Sequence, residues 1–293
     1  MMERDGIEKG LRGLRVLLVC NAASGSNDEN SQAEVHAALT AAGVDVASVI
    51  QFPHDGAPDA SRLDADGIEV VVTFGGDGTT HAVITGLFGW TGSALVLPGG
   101  TMNLLSKALH GDAGAPEIIA RLARGPVRCV RPPVISTRHG VALTGVLAGP
   151  GAIWNEVREA LREASLLEVV SAAREAISHS TNGPKVVCEQ ADCGRGEGYA
   201  AITINPHESG LEANGYYAES LADFAGQGIA LLNRNFRNGP HDVLGVHDRL
   251  RLVCPSGEPM GLLIDGEPFD GGAQEVFRLA TCGLDLLSGG DAR

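Results

Sequence analysis

A chain of 293 residues, 44% hydrophobic and 20% charged, has the composition of a globular protein long enough for two domains. Its net charge of −14 argues against sequence-independent nucleic-acid binding, which needs a basic surface to neutralise phosphates. No apolar run is long enough to span a bilayer, and no apolar leader follows MMERDGIEKG, so a cytoplasmic protein without a transmembrane segment is expected.

Arg15 to Cys20 (RVLLVC) is continuously apolar, as strands covered on both faces are. A polar turn follows at Asn21-Ala22-Ala23-Ser24-Gly25, then a helix from about Ser31 to Ala42 and a strand over Val44 to Ile50. A short polar helix ends near Asp66. Val70 to Phe74 reads as a buried strand, Gly75-Gly76-Asp77-Gly78 as a tight glycine turn, and Thr79 to Leu87 as a helix. Ser93 to Leu97 is a further strand. It runs into Pro98-Gly99-Gly100-Thr101-Met102-Asn103 and another helix, and Pro116 to Arg124 forms one more.

Strand, loop and helix thus alternate three times before residue 110, which predicts a parallel sheet with helices on both faces and ligand loops at the carboxyl ends of its strands. Arg131-Pro132-Pro133 marks a boundary. Beyond it strands are expected over Val134 to Ala148, Lys185 to Cys188, Tyr199 to Asn205, Leu250 to Cys254, Gly261 to Ile264 and Glu275 to Ala280. Helices are expected over Ile153 to Ile177 and Asp223 to Asn233. The expected fold class is an N-terminal three-layer α/β domain (12–132) and a C-terminal, mainly antiparallel β-sandwich domain (133–293) whose end is free to return to the first. Six scattered cysteines without CxxC spacing read as free thiols. Arg121, Arg124, Arg128 and Arg131 read as a solvated face.

Three stretches carry candidate chemistry. Gly75 to Thr80 places glycines and a helix N-terminus where phosphate binds, with Asp77 inside the loop. A carboxylate beside phosphate is repulsive unless a divalent cation lies between, which points to a magnesium nucleotide, although Asp-Gly is also a common turn pair. Pro98 to Asn103 adds close backbone approach and the side chains of Thr101 and Asn103, either of which also suits a helix cap. Asp265-Gly266-Glu267 places two carboxylates at i and i+2, on one face if the strand continues and in a solvated turn if it does not.

Taken together, these stretches resemble the diacylglycerol kinase catalytic family. Its GGDGT loop is matched by Gly75 to Thr79, its P-x-GT-x-N loop by Pro98 to Asn103 and its late DGE by Asp265 to Glu267. Its N-P-x-SG turn is matched by Asn21 to Gly25, with Ala22 in place of proline. The resemblance implies an ATP- and Mg2+-dependent lipid kinase with a nucleotide-binding first domain and a substrate-binding second. Asn21, Ser24, Gly25, Gly75, Gly76, Asp77, Gly78, Thr79, Thr80, Thr101 and Asn103 would hold the nucleotide, and Asp77 would contact the metal. Glu267 would be the general base, supported by Asp265, in phosphoryl transfer to a lipid such as diacylglycerol. The lipid partner implies work at a membrane surface, and homodimerisation is left open. His81-Ala82 departs from the Asn-Glu frequent in the family, and Asp223-Phe224 does not match its structural-magnesium segment. Two alternatives stand beside it: a soluble-substrate kinase related to NAD kinases, which also use a GGDG loop, and a nucleotide-binding regulatory protein whose catalysis has decayed.

Overall fold

The apolar runs become strands and the polar-flanked periodic stretches become helices in the computed structural model, which describes residues 2–7, 10–21, 28–150, 185–190, 193–217 and 241–289. In chain order these form β1 (Met2–Ile7), β2 (Arg15–Cys20), α1 (Glu29–Ala41), β3 (Asp45–Gln51), α2 (Ala60–Ala65), β4 (Val70–Gly75), α3 (Asp77–Gly86), β5 (Ser93–Pro98), α4 (Leu104–His110), α5 (Ala115–Ala123) and β6 (Val127–Arg131). There follow β7 (Pro133–Thr137), β8 (Gly140–Ala142), β9 (Val146–Pro150), β10 (Val187–Cys188), β11 (Ala201–His207), β12 (Gly210–Tyr216), β13 (His241–His247), β14 (Arg249–Val253), β15 (Met260–Ile264), β16 (Glu267–Asp270), β17 (Gln274–Thr281) and β18 (Asp285–Ser288). The chain forms two compact units, Met1–Pro132 with Thr281–Arg293, and Pro133–Ala280.

In the first unit one sheet runs in the order β1-β6-β18-β5-β4-β2-β3. The strands from β18 to β3 are parallel, and β6 and β1 add antiparallel pairs at one edge. All six residues of β4 are buried because it lies inside the sheet with helices above and below. Val70, Val72 and Phe74 pack in one core with Val35 and Leu39 of α1 and Ile118, Ile119 and Leu122 of α5. The alternate residues Val71 and Thr73 are equally buried, on the face where α3 packs on β4 and α4 on β5. This three-layer arrangement is the α/β half that the alternating pattern implies.

The second unit has a five-stranded sheet (β10-β14-β17-β7-β8) and a six-stranded one (β13-β12-β11-β9-β15-β16). The pairs β10–β14, β14–β17 and β7–β8 of the first sheet, and β13–β12, β12–β11, β11–β9, β9–β15 and β15–β16 of the second, are antiparallel. One core takes Ile135, Leu250, Leu252 and Phe277 from the first sheet and Val146, Ile202, Ile204, Leu262 and Ile264 from the second, as in a sandwich.

Several sequence expectations need correction. The single strand expected over Val134 to Ala148 is three strands, β7, β8 and the start of β9, broken by turns at 138–139 and 143–145. Cys188 and Cys193, expected as thiols, form a disulfide with Cα atoms 5.7 Å apart, whereas Cys20, Cys129, Cys254 and Cys282 are buried and outside any disulfide. The arginine row is not wholly solvated. Arg131 makes a 2.7 Å ion pair with the buried Asp285, and Arg121 donates to the His110 carbonyl at the end of α4. The helices expected over 153–177 and 223–233 fall outside the described residues.

His110 gives the first unit an acid-sensitive point. Its ring is buried, and neither nitrogen makes a well-formed hydrogen bond. Burial, and next the nearby Arg121 charge, push its pKa down to about 4, with the Val96 carbonyl offsetting only part. The folded value lies below the unfolded one, so the unfolded chain takes up the proton first. Stability is therefore full above about pH 6.5 and falls as pH drops towards 4, by roughly 3 kcal/mol. Urea unfolding from pH 7 to 4 should show this slope, and His110→Leu should flatten it.

Candidate active site

Strand register sets the loops of the first unit. β4 and β5 end side by side, Gly75 opposite Pro98, while Cys20 of β2 lies opposite Phe74. The three loops that follow therefore leave the sheet at neighbouring points on its carboxyl edge. Two backbone bonds join them, from Gly99 N–H to the Gly75 carbonyl (3.2 Å) and from Asn21 N–H to the Phe74 carbonyl (3.3 Å).

The glycine loop differs from the tight turn expected. α3 begins at Asp77, so Asp77 and Gly78 are already helical, and Gly76 is the N-cap with φ −76° and ψ 178°. Neither Gly75 nor Gly78 has a positive φ. At Gly75 the reason for glycine is space, since a Cβ there would lie 2.9 Å from the Cβ of Thr79. Gly100 has the same reason, as its Cβ would lie 2.5 Å from the Gly76 Cα, backbone against backbone. Gly100→Ala should push the two loops apart and lower stability by about 1–3 kcal/mol. Gly86→Ala, at a helical position with open space, is the control that should not destabilise, and thermal melts of both variants check this.

Asp77 fixes these loops to each other. Its Oδ2 accepts from Asn103 N–H (2.9 Å) and its Oδ1 from Leu104 N–H (2.7 Å), so its carboxylate covers the N-terminus of α4. Asn103 sits at the N-cap of α4 in the left-handed region (φ 53°, ψ 45°) without a side-chain cap bond. Its amide instead bonds both backbone groups of Gly100, from Gly100 N–H to Oδ1 and from Nδ2 to the Gly100 carbonyl, each 2.8 Å. Asparagine tolerates that backbone region better than most residues. The capping alternative left open for Asn103 is thereby decided: Asp77 caps the helix and Asn103 shapes the loop.

Thr79 and Thr80 are buried, and the Thr79 hydroxyl accepts from Asn21 Nδ2 at 2.8 Å. Both threonines help build the loop. Thr101 is exposed. Ser24 and Gly25 lie outside the described residues.

The electrostatic inference from Asp77 also changes. Its negative charge is met by two backbone N–H groups at a helix N-terminus, a favourable place for a carboxylate. A cation is therefore not required merely to make this carboxylate tolerable beside a phosphate. Among the described residues no three His, Cys, Asp or Glu side chains converge to hold a metal. Magnesium commonly takes one or two carboxylates and otherwise phosphates and water, and a carboxylate has about four acceptor positions. A lone carboxylate such as that of Asp77 is compatible with that mode.

The second unit carries the late pair of carboxylates. Ile264 pairs with Glu267, so Asp265 and Gly266 form a two-residue hairpin turn between β15 and β16. Both have positive φ, 50° and 89°, as a type I′ turn demands and as Asp-Gly supplies. The turn overturns the same-face expectation: Asp265 is buried and Glu267, first residue of the next strand, is exposed. The Asp265 carboxylate accepts from the N–H groups of Leu143 (2.7 Å), Thr144 (2.7 Å) and Gly145 (3.1 Å) and from the Thr144 hydroxyl (2.7 Å). Asp265 N–H in turn donates to the Gly145 carbonyl at 3.0 Å. Asp265 is thus a buried knot joining the β8–β9 turn to the β15–β16 turn, and Glu267 follows it on an anchored hairpin. Thr144 and its neighbouring amides were not foreseen, because the sequence carries no signal for backbone donors some 120 residues away.

Comparison with known proteins now bears on these loops. Residues 15–131 match the diacylglycerol kinase catalytic domain. That matched diacylglycerol kinase region contains Asn21, Gly75 to Thr80 and Pro98 to Asn103, and stops before Asp265 and Glu267. Two solved structures from Bacillus anthracis str. Sterne, each provisionally described as a diacylglycerol kinase, share the fold. One has a TM-score of 0.65 at 17% identity over 100% of both chains. The other has 0.59 at 15% identity, covering 94% of this chain and 96% of that one. At such identities the likeness establishes the two-part fold, α/β followed by antiparallel sheets. No curated protein matches the sequence. No helix among the described residues is long and apolar enough to cross a membrane.

Proposed function

We propose that this chain is an ATP- and magnesium-dependent kinase that transfers the γ-phosphoryl group to the hydroxyl of a diacylglycerol-like lipid. The observation that carries the reading is the diacylglycerol kinase catalytic-domain match over 15–131, because the phosphate-loop candidates of the first unit fall inside it. On this reading the α3 N-terminus, with the N–H groups of Gly78 and Thr79, receives nucleotide phosphate. Asp77 and Asn103 keep the two glycine loops in register for it, and Asn21 supports the loop through Thr79. Asp77 would hold the magnesium ion, which when bound supplies charge neutralisation for the transferring group. Ser24, Gly25 and Thr101 remain candidates for further nucleotide contacts.

Glu267 is the proposed general base. Its carboxylate accepts the proton of the acceptor hydroxyl as the oxygen bonds to phosphorus and the bond to the leaving ADP breaks. Asp265 is a positioning residue, committed to four hydrogen bonds of its own. The lipid acceptor implies that the protein meets a membrane surface from the cytoplasm. Incubation with radiolabelled ATP and, in parallel, diacylglycerol-containing liposomes and NAD tests the reading. Label is expected in the lipid fraction, and label in NAD alone would replace the lipid acceptor with a soluble one.

A further inference from the structure

Glu275 is 1% exposed, the most deeply buried carboxylate among the described residues. On β17 it takes the core side of the strand, two residues before Phe277, and lies opposite Leu252 of β14. Its Oε1 accepts from Gly272 N–H at 2.6 Å, and is 2.6 Å from the Arg138 guanidinium and 3.3 Å from His139 Nε2. Arg138 Nε in turn donates to His139 Nε2 at 3.1 Å. Arg138-His139 is the turn between β7 and β8, and Gly271-Gly272 opens the connection from β16 to β17, so one carboxylate holds two loops far apart in sequence. Glycine is needed where the chain closes on it. A Cβ on Gly271 would lie 2.7 Å from the Met260 carbonyl oxygen and 3.1 Å from Glu275 Oε1, and one on Gly272 would lie 3.0 Å from Arg138 Nη2.

A carboxylate brought this far out of water gains little stability over an apolar residue of similar size, because desolvation offsets its attraction to a cation. What it fixes is an arrangement, and here the arrangement concerns β16. That strand has four residues and forms the edge of its sheet, paired with β15 on one side. Its start is held by the Asp265 turn. Its end is held by Gly271 N–H to the Met260 carbonyl (2.9 Å), by Met260 N–H to the Gly272 carbonyl (3.0 Å) and by Gly272 N–H to Glu275. Glu267 and Phe269, two positions apart, share one side of the strand. Phe269 packs on the core, its ring 5.9 Å from that of His139 beside Glu275. The side to which Glu267 points is therefore set by the seat of Phe269, and that seat is built on the Glu275 cluster.

We propose that Glu275 is a positioning residue for phosphoryl transfer, acting with Arg138 through the far end of β16 to hold the Glu267 carboxylate at the acceptor hydroxyl. The proposal rests on the reading of Glu267 as general base. Glu275→Gln keeps the size of the side chain and one acceptor oxygen but loses the charge. Because misplacing a reacting group by about 1 Å can cost on the order of 100-fold, it should lower kcat by about 10- to 100-fold and leave the KM for ATP unchanged. A residue that works only through Glu267 has nothing to act on once that base is gone. In a Glu267→Gln background, Glu275→Gln should therefore lower kcat no further, whereas general damage to the fold would multiply the two losses. Hydrogen exchange should quicken across 268–274 and stay as in the parent at Leu143, Thr144 and Gly145, which Asp265 holds. The Arg138 side chain is 56% exposed, so Arg138→Ala opens the cluster from outside and gives the same test should Glu275→Gln fail to fold.

All variants are compared at a temperature where thermal melts show each one folded. Parental kcat in both Glu275→Gln and Arg138→Ala, or losses that multiply with that of Glu267→Gln, overturns the positioning role and, with Glu267→Gln itself impaired, leaves the kinase reading standing. Exchange unchanged across 268–274 in both variants overturns it as well, since β16 would then be held without the cluster. A parent protein that transfers no phosphate to lipid overturns the kinase reading, and the positioning role falls with it.

Discussion

Asp265→Ala should lower the stability of the second unit by about 4 kcal/mol in urea unfolding. The substitution removes one carboxylate and strands three backbone N–H groups and a hydroxyl, each costing about 1–3 kcal/mol when buried without a partner. Relaxation and water entry recover part of that sum. Alanine also has to hold φ 50°, a left-handed conformation that costs it roughly 1 kcal/mol. Asp265→Asn separates the two causes. It tolerates the backbone and retains one acceptor oxygen, but its NH2 would face a backbone donor, so it should lose about half as much. A loss below 1 kcal/mol in the alanine variant would show that the four bonds are not the anchor described.

Glu267→Gln should leave stability within about 0.5 kcal/mol, since the side chain is exposed, and lower kcat by about 10²- to 10⁴-fold. Glutamine keeps the size and polarity of the side chain and loses its capacity to accept a proton. ATP affinity should be unchanged, because Glu267 is assigned to the acceptor hydroxyl. Together with the Asp265 variants this distinguishes two neighbouring carboxylates: one whose loss is read in stability and one whose loss is read in turnover. A Glu267→Gln enzyme with parental kcat would remove the general base from the mechanism.

The fold class was legible because its strongest signals are one-dimensional. RVLLVC and VVVTF are apolar without alternation, which only strands covered on both faces permit, and their spacing with helices specifies a parallel sheet. The second unit was harder to read. Its strands are short, and the break at 143–145 is set by the distant Asp265, so 134–148 looked like one strand. Spacing alone does not signal the Cys188–Cys193 disulfide, because a separation of 5 residues permits a bridge without requiring one.

In the candidate site, the residue types were visible and their partners were not. The sequence suggests backbone freedom at Gly75 and close approach of a ligand at Gly100, yet both glycines are needed for the space against Thr79 and Gly76. Asp77 looked like a carboxylate in want of a cation, while its contacts are amides 26 and 27 residues on. The two positive φ angles at Asp265-Gly266 are an ordinary hairpin preference. That preference accounts for the turn, while the burial of Asp265 is set by its bonds to the distant amides of 143–145.

The most direct measurement of the central claim is transfer of 32P from γ-labelled ATP to diacylglycerol in mixed micelles, with the lipid product separated by chromatography. The purified protein should form labelled phosphatidic acid in a magnesium-dependent reaction that Glu267→Gln reduces at least a hundredfold. Equal labelling by the parent and the Glu267→Gln protein, or ATP binding with no labelled lipid across a panel of hydroxyl-bearing lipids, would contradict it.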